Sequence, residues 1–202
     1  MTNNKISQQE VRRIMLIPGM VRGTVFKTDF EYVKNELGEN KTDLLRKKLN
    51  DWENPIDYQA IKSLKWYPVG LRVLSLLAIK ETFQWGDKEI FELGRSSPKY
   101  SFPATMLMRY FISIEIAVKE ASRLWQKHYS VGELVPAKVD EKQKQLILHL
   151  KNFRIDPVLC VSLKGYFFCI AHYVIRSKKI TIQETKCMFK GGPYHEYTIE
   201  WE

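Results

Sequence analysis

Three side chains that commonly bind metal ions lie close together near the C-terminus, in the stretch ITIQETKCMFKGGPYHEYTIEW. Glu184 and Cys187 are separated by two residues, and His195 lies eight residues beyond Cys187, across a Gly-Gly pair. A carboxylate, a thiolate and an imidazole are all good ligands for zinc. The spacing therefore poses a choice between an ordinary hairpin with incidental polar side chains and most of a metal site.

The stretch is predicted to form a β-hairpin, because two runs suited to strands flank the sequence KGG. A three-residue loop at residues 190–192 places Cys187 opposite His195, and Cβ atoms of cross-strand neighbours lie about 5 Å apart. In a regular strand Glu184 does not converge with Cys187, since residues three apart point to opposite faces. A shared metal ion therefore requires a bulge or bend within the sequence ETKC.

A fourth ligand has two candidates on the preceding apolar segment, Cys160 and Cys169. At about 100° per residue a helix places residues nine apart on opposite faces, so only one of the two thiols faces the hairpin. The spacing alone leaves this choice open. The alternative is that these residues are not ligands, because a free cysteine usually behaves as a small buried apolar group.

The segments that must position these residues change character near Val131. Before it, apolar residues at spacings of three and four predict helices, most clearly over residues 107–125. After it, a hairpin is predicted around the polar sequence DEKQKQ, followed by an apolar helix with Asp156 as N-cap and then by the last hairpin. We therefore predict an α+β fold, with N-terminal helices packed with a C-terminal antiparallel sheet of two hairpins flanking a buried helix.

Local signals also place the boundaries of the N-terminal helices. Ser7 is predicted to cap a short helix that ends before Pro18-Gly19. Thr28 with Glu31 has the spacing of a capping box for a second helix. A further helix is predicted to end at about Gly94. Residues 1–22 are assigned to an N-terminal extension and residues 23–202 to the domain.

Composition and charge limit the location and partners. The longest apolar run, residues 166–175, is shorter than the roughly 20 residues of a membrane span, and the N-terminus lacks the pattern of a signal peptide. We expect a cytoplasmic protein without an integral membrane segment. The net charge of +9 attracts nucleic acid in general, but the basic residues are scattered among acids and leucines as on exposed helix faces. A nucleic-acid partner is therefore not expected.

The C-terminal half resembles the vinyl-4-reductase-like domain family, which binds hydrocarbons and other small molecules. This family includes the sensor domains of phenol- and xylene-responsive activators and is related in fold to core subunits of the TRAPP complex. Its sensors carry a helical Cys followed five residues later by Gly-Tyr, then Glu-x-x-Cys, a Gly in the turn and a second Cys. Here CVSLKGYFFC, ETKC and KGG match this pattern over residues 130–201, and His195 replaces the last cysteine. The resemblance implies a structural zinc held by Cys160, Glu184, Cys187 and His195.

The resemblance further implies a non-enzymatic binding or sensory domain for an apolar, aromatic or lipid-like molecule. Since the chain has no dinucleotide fingerprint, P-loop or HExxH motif, no enzyme class is indicated. Two alternatives remain: a TRAPP-like dimeric interaction scaffold, and an accessory protein in tetrapyrrole vinyl reduction. A homodimer is expected. The predicted pocket residues are apolar or aromatic side chains on two helices: Tyr110, Phe111, Ile114, Trp125, Phe167 and Ile170.

Histidines on the helices add one more alternative. His128 follows Trp125 at the end of the amphipathic helix, where with Tyr129 it could provide a polar group at a pocket mouth. A haem ligand at His128 or His172 is conceivable on this basis. The common alternative is that a lone histidine on an apolar helix is a hydrogen-bonded core residue.

Overall fold

The computed structural model describes residues 6–100 and 113–202. Within these ranges the chain forms helices and antiparallel strands, which confirms the predicted α+β class. The α-helices are α1 (Gln8–Met15), α2 (Thr24–Leu37), α3 (Glu39–Asp51), α4 (Val69–Thr82), α5 (Asp87–Ser96), α6 (Ile114–His128) and α7 (Pro157–Val174). The strands are β1 (Met20–Arg22), β2 (Trp66–Pro68), β3 (Glu133–Asp140), β4 (Gln145–Lys151), β5 (Ile180–Lys186) and β6 (His195–Trp201).

The last four strands form one antiparallel sheet in the order β3-β4-β6-β5. Along β4 every second residue is buried, namely Leu146, Leu148 and Leu150, so one face of the sheet belongs to the core. This alternation follows from the two-residue period of a strand. A second sheet pairs only β1 with β2, and its three-residue strands are too short to have been recognised from sequence periodicity.

Helix α7 lies in the core, between the sheet and α5. Its start matches the prediction, because the Asp156 carboxylate accepts a hydrogen bond from the Val158 N–H at 2.9 Å and Pro157 occupies the first helical position. By length and composition α7 resembles a membrane span, but 56% of this segment is buried inside the fold. Such burial is typical of a core helix in a soluble domain.

The N-terminal helices follow the sequence prediction in part. Ser7 caps α1 in a complete capping box, as predicted. Helix α2 begins at Thr24, so the predicted cap at Thr28 is wrong: Thr28 lies buried inside the helix and its hydroxyl donates to the Val25 carbonyl at 3.0 Å. Val11 and Ile14 of α1 join the same core as α4. The domain boundary at residue 22 stays a prediction.

Candidate functional site

Four potential ligands converge at one end of the sheet. One ligand atom from each of Cys160, Glu184, Cys187 and His195 lies within 4.8 Å of the others. Cys160 comes from the first turns of α7, Glu184 from β5, Cys187 directly follows β5, and His195 begins β6. These four residues, called the Cys-His cluster below, are the ones named as metal ligands from the sequence.

The pairing of β5 with β6 explains how Glu184 reaches this cluster. Glu184 pairs with Tyr197, whereas Lys186 pairs with Glu196, so the register shifts between them and Thr185 is the extra residue. This irregularity is the bulge that the sequence ETKC was predicted to require. Continuing the register beyond Lys186 places Cys187 opposite His195.

His195 is the best-defined member of the Cys-His cluster. Its side chain is fully buried, and Nε2 lies 3.1 Å from the Phe153 carbonyl oxygen. On the other side of the ring, Nδ1 lies 2.9 Å from a Glu184 carboxylate oxygen and 3.6 Å from the Cys160 Sγ. A ring that donates through Nε2 therefore directs its Nδ1 lone pair towards the carboxylate and the thiol.

The choice between the two helix cysteines is settled by geometry. Cys160 faces His195, while Cys169 lies outside the Cys-His cluster, although it is also buried. Burial, followed by the negative charge of Glu184, raises the pKa of Cys160 far above that of a free thiol. The Cys160 thiol is therefore protonated at neutral pH when no cation is present.

A cavity of about 170 Å³ lies between α6, α7 and the inner face of the sheet. Its walls are mainly apolar. Four of the predicted pocket residues line it: Ile114, Trp125, Phe167 and Ile170. The other two, Tyr110 and Phe111, lie outside the described residues. Contact of any of them with a ligand stays a prediction.

Helix α6 packs loosely over this cavity. Only Ile114 and Trp125 of its fifteen residues are buried. Ala117, Val118 and Ala121 lie on the cavity side and are only partly buried. An amphipathic helix normally buries its whole apolar stripe, so this face has room for another apolar group.

The lining of the cavity includes one buried positive charge, Arg72. Arg72 and Asp29 form an ion pair in which the side chains are 4% and 0% exposed. Arg72 also donates to the Val25 carbonyl oxygen at 3.3 Å and to the Tyr129 hydroxyl. Burial lowers the pKa of Arg72 to about 10, which leaves it charged at neutral pH. No pattern in the sequence indicates this pair, because its members lie on separate helices, α2 and α4.

His128 is the one histidine of the four in the chain that lines the cavity. Burial, with smaller effects from the charges of Arg22 and Lys127, lowers its pKa below the usual value. The imidazole is therefore neutral at pH 7. His172, the other histidine considered for haem, is exposed and does not line the cavity; its Nδ1 lies 2.9 Å from the Phe168 carbonyl oxygen.

Comparison with known proteins shows a likeness in fold only. No family model matches the chain, and no curated protein matches its sequence. An H-NOX protein from S. oneidensis in the Fe(II)NO ligation state has a TM-score of 0.68 at 15% identity, over 90% of this chain and 99% of that one. An oxygen-binding H-NOX domain related to soluble guanylate cyclases has a TM-score of 0.63 at 12% identity, over 90% and 95%.

A third similar structure carries a description that names haem. It concerns the modulation of haem redox potential through porphyrin distortion, and it has a TM-score of 0.65 at 12% identity, over 90% of this chain and 95% of that one. Each of the three similarities covers 90% of this chain. They therefore test the fold of nearly the whole chain.

These similarities overturn the resemblance to the vinyl-4-reductase-like and TRAPP families. The matching motif involves only α7 and the last hairpin, and a few positions there do not determine the arrangement of the remaining helices. The predicted function, an apolar small-molecule binder stabilised by zinc, is wrong for the same reason, as are the TRAPP-like scaffold and the tetrapyrrole accessory role. The predicted cofactor, a structural zinc, is also wrong, because the solved proteins of similar fold are described with Fe(II) or haem.

Proposed function

We propose that this chain is a haem-dependent sensor domain, with the haem held in the cavity between α6, α7 and the sheet. The H-NOX fold supports this proposal, since solved proteins of that fold are described in Fe(II), Fe(II)NO and oxygen complexes. The observation in this chain that carries the proposal is a neutral imidazole, His128, on the wall of an apolar cavity.

The chemistry of the lining fits a haem. The group requires apolar walls for its macrocycle, a ligand for its iron, and compensation for its carboxylates. His128 has a neutral nitrogen available for iron, and histidine is a common protein ligand of haem. Arg72 also lines the cavity, and a haem carboxylate there would share its guanidinium with Asp29, to which it is already paired. When bound, haem would supply an iron centre that binds a diatomic gas.

The size of the cavity requires α6 to move when a large group binds. Its volume of about 170 Å³ is below the roughly 300–1,000 Å³ typical of pockets for drug-sized ligands. Because α6 buries only Ile114 and Trp125, its displacement from α7 sacrifices little packing. Haem binding is therefore expected to order or shift α6 more than any other described helix.

Replacing His128 with alanine is expected to weaken haem binding at least tenfold, because the iron loses its ligand. Ferric haem (hemin) is titrated into the purified protein while the Soret band is recorded. Wild type should saturate at one haem per chain. His172→Ala is the matched control, since that histidine lies outside the cavity, and it should bind like wild type.

Two results would count against parts of this proposal. Failure of wild type to saturate would overturn haem binding altogether. Equal affinity and an unchanged Soret position in His128→Ala would leave haem binding intact and remove His128 as the ligand. Circular dichroism of each variant establishes that the fold is retained.

The lowered pKa of His128 predicts how haem affinity depends on pH. Protonation of the imidazole removes the lone pair that binds iron. Since the pKa lies below its usual value of about 6.5, affinity should change little between pH 8 and 7 and fall as the buffer becomes more acidic than the lowered pKa. Hemin titrations across this range measure it. A loss of affinity already between pH 8 and 7 would contradict the assignment.

The same proposal places the domain among sensors and not among enzymes, in a soluble cytoplasmic protein. The buried position of α7 supports solubility. A homodimer, expected from the sequence, remains a prediction that sedimentation would test.

A further inference from the structure

We propose that this chain binds the surface of anionic phospholipid bilayers through one outward face, built from β1, β2, the turn before β2 and the end of α6. This face, called the Trp66 surface below, combines three apolar side chains with three lysines: Met20, Leu64, Trp66, Lys62, Lys65 and Lys127. Binding would be peripheral and reversible, with no segment crossing the bilayer. The inference does not depend on haem binding, because none of these residues lines the cavity.

The pairing of β1 with β2 determines which side chains face outwards. Arg22 pairs with Trp66, and Met20 lies two residues before Arg22, so these three side chains share one face of the small sheet. Val21, between Met20 and Arg22, points the other way and is fully buried. Met20 and Trp66 are each 36% exposed. The outer face of this sheet therefore presents apolar groups to water.

Leu64 protrudes from the tight turn that precedes β2. The Lys65 N–H donates to the Lys62 carbonyl oxygen at 3.0 Å, which closes the turn around Leu64. The turn is also fixed to the start of α2, because the Gly23 N–H donates to the Lys65 carbonyl oxygen at 2.9 Å. The Leu64 side chain is nevertheless 76% exposed. A well-anchored turn thus holds a large apolar side chain in water.

Arg22 connects the three segments of the Trp66 surface. Its Nε donates to the Lys127 carbonyl oxygen at 3.0 Å, at the end of α6, and its Nη1 donates to the Leu64 carbonyl oxygen. The guanidinium carbon lies 3.9 Å from the centroid of the Trp66 ring, in a cation–π contact. Arg22 therefore brings the end of α6 next to the turn and fixes the ring of Trp66 on the outer face.

The segments that build the Trp66 surface contain basic residues and no acids. Residues 11–28, 58–80 and 121–132 include neither Asp nor Glu. Lys62, Lys65 and Lys127 are exposed, and within residues 6–100 and 113–202 none of them forms an ion pair. Their charge is therefore uncompensated locally, in a chain with a net charge of +9. Such a surface attracts anionic partners.

The apolar side chains favour a bilayer over other anionic partners. Lysines alone attract nucleic acid or an acidic peptide, whereas Leu64 gains free energy only when it leaves water. Tryptophan is enriched at the boundary between lipid headgroups and acyl chains, and each lysine near an anionic leaflet strengthens binding about fivefold. Stacking of a nucleic-acid base on Trp66 is hindered, because Arg22 already covers one face of its ring. The combination fits a phospholipid surface.

Co-sedimentation with lipid vesicles tests the proposal. Vesicles of phosphatidylcholine with about one-third phosphatidylserine are compared with vesicles of phosphatidylcholine alone. Wild type should bind the anionic vesicles at least tenfold more tightly than the neutral ones. High salt should release most of the bound protein, because it screens the attraction between the lysines and the headgroups.

Replacing Leu64 with serine tests the apolar contribution. Leu64→Ser should bind anionic vesicles at least tenfold more weakly, because serine gains nothing from leaving water. Leu44→Ser is the matched control, since Leu44 is 47% exposed but lies on α3, outside the Trp66 surface. Both leucines are exposed, so neither change should affect folding, which circular dichroism verifies. Equal binding by the two variants would contradict the proposal.

A pair of double variants tests whether the position of the charge matters. Lys62→Gln with Lys65→Gln removes two charges from the Trp66 surface and should weaken vesicle binding at least tenfold. Lys41→Gln with Lys47→Gln removes the same charge from two exposed lysines of α3 and should weaken it less than threefold. Equal losses would show that only the net charge attracts the membrane, which would overturn the proposal.

Trp66 itself reports whether the surface enters the bilayer. All five tryptophans of the chain lie in the described residues, and Trp66 is the most exposed of them. Brominated acyl chains should therefore quench part of the fluorescence of wild type, and Trp66→Phe should lose this quenching. The same quenching in Trp66→Phe would show that another face of the protein meets the lipid.

The proposal is overturned if wild type binds anionic and neutral vesicles equally, or binds neither. Binding to duplex DNA or to polyglutamate without binding to vesicles would also overturn it and assign the Trp66 surface to another class of partner. Hemin titration of Leu64→Ser should match that of wild type, because Leu64 lies outside the cavity. Failure of membrane binding and failure of haem binding are therefore separate results.

Discussion

Replacing Gly165 with alanine is expected to destabilise the fold by about 3 kcal/mol or more, the upper end of the cost of overpacking. Gly165 lies where α7 crosses α5. A Cβ at this position would lie 2.0 Å from the Phe91 carbonyl oxygen and 2.8 Å from the Arg95 nitrogen. Both are backbone atoms of a helix, so no side-chain rotation relieves the overlap, and the two helices must separate.

The crossing is reciprocal, which makes the expected effect large. On α5, a Cβ at Gly94 would lie 1.9 Å from the Ser162 carbonyl oxygen of α7. Each helix therefore presents a glycine to the backbone of the other. Since α7 also forms a wall of the cavity, its displacement would disturb the proposed haem site.

Urea unfolding followed by circular dichroism measures how much the free energy of unfolding falls in Gly165→Ala and in Gly94→Ala. Gly86→Ala is the control, because a Cβ there would meet only the end of the Glu89 side chain at 3.4 Å. Gly86 is the N-cap residue of α5, so Gly86→Ala is expected to lower the free energy of unfolding by about 1 kcal/mol or less. A similar loss in all three variants would show that the close crossing is not the cause.

Gly94 also illustrates what the sequence does not reveal. It was predicted to end its helix, which is a common role for glycine, but α5 continues to Ser96. The residue is a contact point with α7, and that contact is invisible to any local pattern. The same limit applies to Cys160 and Cys169, since the sequence shows that they face opposite ways and not which one faces the hairpin.

Features that depend on near neighbours were predicted well. The caps at Ser7 and Asp156 and the pairing of the last two strands follow from signals within a few residues. The turn between those strands is longer than the predicted three residues, because β5 ends at Lys186 and a 3-10 turn follows it. Thr28 shows the opposite case. Its capping-box spacing is genuine, yet the helix begins at Thr24, and the buried threonine lines the cavity together with residues distant in the chain. Tertiary packing overrides a weak local signal.

The Arg72–Asp29 pair was likewise missed, and it carries the second large prediction. Replacing Asp29 with asparagine is expected to cost about 3–5 kcal/mol, because it leaves an uncompensated charge on a buried guanidinium. The side chains are 4% and 0% exposed, so water cannot solvate the remaining cation. Thermal and urea unfolding of wild type and Asp29→Asn measure this loss of unfolding free energy.

A double variant separates the cost of the isolated charge from the value of the pair. Asp29→Leu combined with Arg72→Met removes both charges, and replacing a buried ion pair by apolar residues is often close to neutral. It should therefore be more stable than Asp29→Leu alone. With Asp29→Leu and Arg72→Met as the single variants, the cycle should give a coupling energy beyond the roughly 0.3–0.5 kcal/mol of independent sites. Additive losses would indicate that the two residues act separately.

This pair also connects stability to the proposed function. If the carboxylate of a haem approaches Arg72, it can replace part of the charge that Asp29 provides. Hemin should then raise the melting temperature of Asp29→Asn by more than it raises that of wild type. An equal rise in both proteins would place the haem carboxylates away from Arg72. The ion pair would then be a purely structural element beside the cavity.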